Sequence, residues 1–320
     1  MSPDNTISTE ARLPWHVDTL PIRRWIAAME SNGDADVAWD RVKLWDKMVN
    51  EHDVLKVSRE GKVGIIELSY LPKRNALVPP MYKMFVDGMR ELQEDEDVWV
   101  IMITGNGNTF SSGGYVGRDA FYAGLDAGSN GQKSEPMRRT FAEMFQPVTT
   151  SIYESEKPTV AAVNGAVFAE SNDIALSADL RTASPDSSFN FSFAATGNTA
   201  YTGAAWSLPR LIGMSRAKDL LFTAQSIDGT RALELGLVNY LYDTETLKED
   251  SLALAQKIAG LPPITLRLIK KEIHRGWGIG ELSAALDLYS MIETIVQSTD
   301  DHMDAEEAII EKRPPVVRGS

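Results

Sequence analysis

Between an apolar strand and an amphipathic helix, the segment Phe168-Ala169-Glu170-Ser171-Asn172-Asp173 sets two carboxylates three residues apart. Neighbouring carboxylates in a partly apolar pocket repel each other, so one pKa rises and the pair suits acid/base work near neutrality. The plainer reading is local: Asp173 and Asn172 complement a helix N-terminus, and Glu170 points to solvent. The four histidines, His16, His52, His274 and His302, are scattered without metal-ligand spacing, so no metal site is expected. There is no cysteine. Thiolate nucleophiles, disulfides and Cys-based metal sites are therefore excluded, and a reducing, cytoplasmic setting is expected.

The elements that must position these groups repeat one design. A buried strand runs out into small residues and a helix follows, first from Ile103-Thr104-Gly105 to Ser111-Ser112-Gly113-Gly114, then from Val163-Asn164-Gly165 to Ala169-Glu170-Ser171. Backbone N–H groups at such junctions lack helical acceptors. Two of them, from adjacent loops, can converge on one oxygen and stabilise a carbonyl that is becoming an enolate or a tetrahedral oxyanion. Taken singly, each loop is equally a tight turn in which glycine relieves strain.

Along the chain, residues 1–53 read as a helical arm holding four of the seven tryptophans, Trp15, Trp25, Trp39 and Trp45. It docks on the main body or on a neighbouring subunit, with a substrate-covering lid as the alternative. From residue 54 the rhythm changes to strands and helices: "VLKVSREGKVGIIELSY" is a hairpin, and "WVIMITGNG" and "KPTVAAVNG" are buried strands. The predicted core of ββα units runs over 54–250, and 251–320 is a C-terminal helical region. The formal net charge of −13 repels nucleic acid and anionic membranes. No apolar run approaches the ~18 residues of a membrane span. The first residues lack the features of a signal peptide, so export is not expected.

As an ordered set, "VGIIELSYLPKRNAL", "VIMITGNGNTFSSGGYV", "KPTVAAVNGAVFAESNDIALSADL", "LPRLIGMSRAKDLLFTAQSIDGTRALELGLV" and "AEEAIIEKRPPV" resemble the crotonase superfamily, the enoyl-CoA hydratases and isomerases. The resemblance covers about residues 54–318. It implies an α/β spiral of four ββα turns, a C-terminal helical trimerisation region, and assembly as a homotrimer or a dimer of trimers. It also implies an acyl-CoA thioester held by two peptide N–H groups, with coenzyme A as part of the substrate and no separate cofactor. The first amide falls on Gly114 and the second on Glu170. Lys73 and Arg74 are candidate contacts to the CoA phosphate, and Ala76 offers backbone groups to the adenine.

The departures narrow the chemistry. The first catalytic glutamate of a typical hydratase is Asp173 here, and the second falls on Phe193, which transfers no proton. Tyr115 stands where an aspartate usually follows the first amide. Tyr201 stands where relatives acting on aryl-CoA keep a nucleophilic carboxylate. Tyr115, Phe193, Tyr201 and Trp206 are expected to line the acyl pocket, and Asp173, Glu170, Gly114 and Tyr201 to carry the chemistry. Phe189, Phe191 and Phe193 alternate as on a strand, as pocket wall or core. The implied activity is enoyl-CoA hydration or isomerisation with a non-standard acid/base set. Two alternatives stand beside it. One is a hydrolase of C–C bonds in cyclic β-diketones, and the other is a subunit that kept the fold without catalysis.

Overall fold

The chain builds two sheets at once as it winds. The computed structural model describes residues 20–31, 35–115 and 138–320. Strands β1 (Leu55–Glu60) and β2 (Val63–Leu68) form the expected antiparallel hairpin around Gly61-Lys62. Strands β3 (Val100–Gly105), β5 (Thr159–Val163), β7 (Leu180–Ala183) and β10 (Tyr240–Leu241) join in parallel, giving the order β1-β2-β3-β5-β7-β10. The shorter β4 (Thr109–Ser111), β6 (Ala166–Phe168), β8 (Ser188–Asn190) and β9 (Ser226–Asp228) form a second sheet in that order. Successive windings therefore add one strand to each sheet, which makes the ββα spiral. Every residue of β3 and β5 is buried, as a parallel sheet covered on both faces requires.

Helix α3 (Pro79–Glu94) starts on two prolines and buries Met81, Tyr82, Phe85, Met89 and Leu92 along one face. A five-residue π-helical turn, Phe141–Phe145, leads into α4 (Gln146–Tyr153). Helix α5 (Ser171–Ser177) is buried along its whole length. The last third holds α6 (Ala204–Ile212), α7 (Met214–Thr223), α8 (Gly229–Leu235), α9 (Leu247–Ala259), α10 (Pro263–Gly276), α11 (Leu282–Val296) and α12 (Asp300–Glu311). Lys270 on α10 donates to Asp179 Oδ2 at 2.8 Å, and the same oxygen accepts from the Thr159 N–H and hydroxyl. That cluster pins α10 to the N-terminal ends of β5 and β7 in the first sheet. Among the described residues, no single helix is long and apolar enough to cross a membrane.

The arm forms α1 (Leu20–Ser31) and α2 (Ala35–Glu51). It docks on the chain's own body: Ile22, Ile26, Val42 and Trp45 share one buried core with Val54, Tyr82 and Phe85. Arg24 pairs with Glu143 on the π-helical turn. Trp15 and the Asn32-Gly33 break lie outside the described residues. The phenylalanine stripe departs from its reading as a strand, since only Phe189 lies on β8. The Asn190 side chain accepts the Ser192 N–H at 3.1 Å, a turn that ends the strand. Phe193 then takes αR backbone at the head of a 3₁₀ turn, Ala194–Thr196, and all three rings lie in the core.

Candidate active site

The junction between β6 and α5 is tight because Ala169 takes φ +45°, the left-handed region that an L side chain enters only at a cost. Asn172 holds the turn by donating to the carbonyls of Ala169 and Asn190 at 2.9 and 2.8 Å. The Ser171 hydroxyl donates to Phe168 O and lies 3.1 Å from Ser111 O, which ties this junction to the first loop. That loop is held in turn by Asn75, whose side-chain amide donates to Asn106 O and Thr109 O. The two junctions therefore lie side by side. Among the described residues, the N–H groups of Gly114 and Glu170 donate to no protein atom. Unpaired donors at this position call for an acceptor from elsewhere.

Glu170 does not point to solvent. Its side chain folds back against the first loop, where a Cβ on residue 114 would lie 2.4 Å from its Oε1. A side chain at 114 would displace the Glu170 carboxyl, which lies against this residue of the first loop. Tyr82 donates to Oε1 and Tyr201 to Oε2, each at 2.5 Å. Burial drives the Glu170 pKa up, and the two phenols oppose it only in part. Phe145 packs edge-on to Tyr82 with centroids 4.5 Å apart, and Phe141 lies 4.7 Å from Tyr201. The π-helical turn thus braces both phenols.

Asp173 is 1% exposed. The Thr202 hydroxyl donates to its Oδ2, while Oδ1 has no hydrogen-bond partner. Burial first, and the neighbouring Glu170 second among the groups raising it, push its pKa up to about 7. The Thr202 hydroxyl and the nearby Ala204 N–H pull the other way, although the latter closes no hydrogen bond. The local reading, in which Asp173 merely complements a helix end, leaves Oδ1 unexplained.

The remaining sequence-predicted residues divide by position. Lys73 and Arg74 are exposed on the turn before α3, and their carbonyls accept from the Ser112 hydroxyl and N–H. This places both cations next to the Gly114 loop. Ala76 is buried and its N–H already donates to Lys73 O at 3.1 Å, leaving only its carbonyl for a ligand. Tyr115 is half-buried and packs on the core. Phe193 is 3% exposed and forms core rather than pocket wall. Tyr201 and Trp206 both border a cavity of about 340 Å³ with Gln146, Thr149, Thr202 and Ser207. A larger cavity of about 510 Å³ opens at the far end of α5, beside Asp179 and α10, and reaches neither Glu170 nor Asp173.

Two residues of this cluster were not singled out from the sequence, Tyr82 and Thr202. The signal for Tyr82 was available: a phenol on an otherwise apolar helix stripe needs a partner for its hydroxyl.

A family model described as enoyl-CoA hydratase/isomerase matches residues 58–320, and the arm lies outside the match. The chain is 32% identical over 257 residues to a short-chain-enoyl-CoA hydratase of Clostridium acetobutylicum, covering 80% of this chain and 94% of that one. It is 25% identical over 265 residues to the 2,3-dehydroadipyl-CoA hydratase of Escherichia coli, covering 83% and 98% of the two chains. Among solved structures, an enoyl-CoA hydratase of Bacillus anthracis superposes with a TM-score of 0.76 at 26% identity, covering 83% of this chain and 100% of that one. An enoyl-CoA hydratase of Mycobacterium tuberculosis gives a TM-score of 0.72 at 27% identity over 83% and 99%.

Proposed function

We propose, from the premise that the chain belongs to the crotonase superfamily and is an enzyme of the enoyl-CoA hydratase/isomerase type, that it works with a non-standard acid/base pair, Glu170 and Asp173. Its substrate is an acyl-CoA thioester. The thioester oxygen accepts from the N–H groups of Gly114 and Glu170, and negative charge gathering there as the enolate forms is stabilised by these fixed donors. Asp173 moves the proton through Oδ1, its unpartnered oxygen. Glu170, whose pKa burial raises and which Tyr82 and Tyr201 hold, acts as the acid beside the carbonyl. Lys73 and Arg74 meet the CoA phosphate. The observation that supports this most directly is the buried carboxylate pair: Asp173 has one free oxygen, and Glu170 stands between two phenols and Gly114.

The test is turnover of a panel of enoyl-CoA thioesters by Asp173→Asn and Glu170→Gln, made separately. A general acid or base contributes roughly 10²–10⁴-fold, so each variant should lose at least about a hundredfold in kcat. Unchanged turnover in both would leave the mechanism without proton carriers.

One observation favours a second reading, cleavage of a C–C bond in a cyclic β-diketone without CoA. The Glu170 carboxyl already occupies volume beside Gly114 that a thioester carbonyl would use. A thermal-shift comparison of acyl-CoA thioesters with cyclic diketones separates the two, because a true ligand raises Tm with concentration.

Assembly as a homotrimer or a dimer of trimers completes the proposal. It is supported by exposed apolar side chains along the C-terminal helices, including Ile273, Trp277, Leu286, Met291 and Ile310. A monomer by light scattering would remove it. A cytoplasmic setting suits a chain without cysteine.

A further inference from the structure

The π-helical turn Phe141–Phe145 has contacts on two sides. Toward the site, Phe145 packs edge-on to Tyr82 and lies 6.3 Å from Tyr201, while Phe141 lies 4.7 Å from Tyr201. Gln146, the next residue, donates to Tyr201 O at 3.0 Å. The two phenols held in this way are those that donate to the Glu170 carboxyl. Toward the arm, Glu143 in the middle of the turn accepts from Arg24 Nη1 with both carboxylate oxygens. Helix α1 packs on this turn, and α2 packs on α3, the helix that carries Tyr82. Trp45 of α2 is fully buried in the core that also holds Tyr82, Phe85 and Phe145.

π-helical turns are rare and concentrate at functional sites. Tyr82 and Tyr201 reach Glu170 from positions 88 and 31 residues away, so no local backbone geometry sets either bond. Their placement depends on what packs behind them. Behind both stands the π-helical turn, and behind the turn stands the arm.

We infer that the N-terminal arm is a positioning element of the active site: by gripping the π-helical turn through Arg24 and Glu143 and by covering α3, it holds Tyr82 and Tyr201 where they fix the Glu170 carboxyl. The inference rests on Glu170 being the acid of the proposed function. Arg24 and Glu143 act through Phe141, Phe145 and the phenols, and are positioning residues. The family match begins at residue 58, so this support comes from chain that precedes the matched region.

The experiment uses the full chain with its best enoyl-CoA thioester. The Arg24 and Glu143 side chains are 38% and 33% exposed, so their pair adds little to folding and either variant keeps the fold. Arg24→Met should lower kcat about fivefold, the kinetic counterpart of losing one such pair, with KM unchanged. Glu143→Gln should do the same, and the exchanged pair, Arg24→Glu with Glu143→Arg, should recover most of the rate. When Tyr82→Phe and Tyr201→Phe are both present, Arg24→Met should cost nothing further, because residues acting in one line are not additive. Carboxyl-carbon NMR supplies a readout independent of turnover. The phenols pull the Glu170 pKa down and the neighbouring Asp173 is untouched, so Arg24→Met should move the Glu170 titration to higher pH. An unchanged kcat or an unmoved Glu170 titration in both single variants overturns the inference. So does a loss that persists undiminished once both phenols are gone. Full turnover by Glu170→Gln would instead overturn the proposed function, and this inference with it.

Discussion

Asp173→Asn should change how stability depends on pH, in a direction the burial of this side chain dictates. In the folded protein its pKa is pushed from the ordinary 3.8 up to about 7. Each tenfold change in acidity is worth about 1.36 kcal/mol, so holding Asp173 ionised costs the native state about 4 kcal/mol. Between pH 3.8 and about 7 the folded chain keeps a proton that the unfolded chain has lost. Stability from this group is therefore fully present below about pH 4 and falls as pH rises toward 7, after which the contribution is flat. Asparagine cannot ionise, so the difference in unfolding free energy, wild type minus variant, should fall by up to about 4 kcal/mol from pH 4 to pH 7.5. The assay is urea denaturation at four pH values at one protein concentration, since assembly also shifts apparent stability. A difference that stays constant within about 0.5 kcal/mol, well below the linkage term, would refute the claim that Asp173 is a buried acid titrating near neutrality.

Three further outcomes follow from the same geometry. Tyr82→Phe and Tyr201→Phe each remove one phenol from Glu170, so each should cost about 1–3 kcal/mol of stability and raise the Glu170 pKa further, visible by carboxyl-carbon NMR titration. Ala169→Gly relieves left-handed backbone and should stabilise the fold by up to about 1 kcal/mol, read as a rise in urea midpoint at unchanged slope. Trp45→Ala should destabilise by about 3–5 kcal/mol, because that indole is fully buried against the spiral. A loss under 1 kcal/mol would mean the arm is not part of the core.

The spiral was legible because its signals are local: apolar runs such as "VIMITG" and "TVAAV" are strands buried on both faces, and each ends in small residues. The carboxylate pair was legible for the same reason, since Glu170 and Asp173 share one turn. Which way Glu170 faces was not, because its partners lie 88 and 31 residues away in the chain, on α3 and before α6. The phenylalanine stripe misled because alternation at 189, 191 and 193 looks like a strand, while one Asn190 side chain breaks the ladder. The pattern of the arm showed an apolar face but not what covers it; the structure supplies the chain's own core.

The arm's packing separates two kinds of boundary. The match to the enoyl-CoA hydratase/isomerase family starts at residue 58, yet Ile22 and Trp45 share a buried core with Tyr82 and Phe85 well inside that region. Trimming an expression clone to the start of that match would strip the cover from the helix that carries Tyr82. Such a clone would test a wounded protein, and its silence toward any substrate would teach nothing about the intact one.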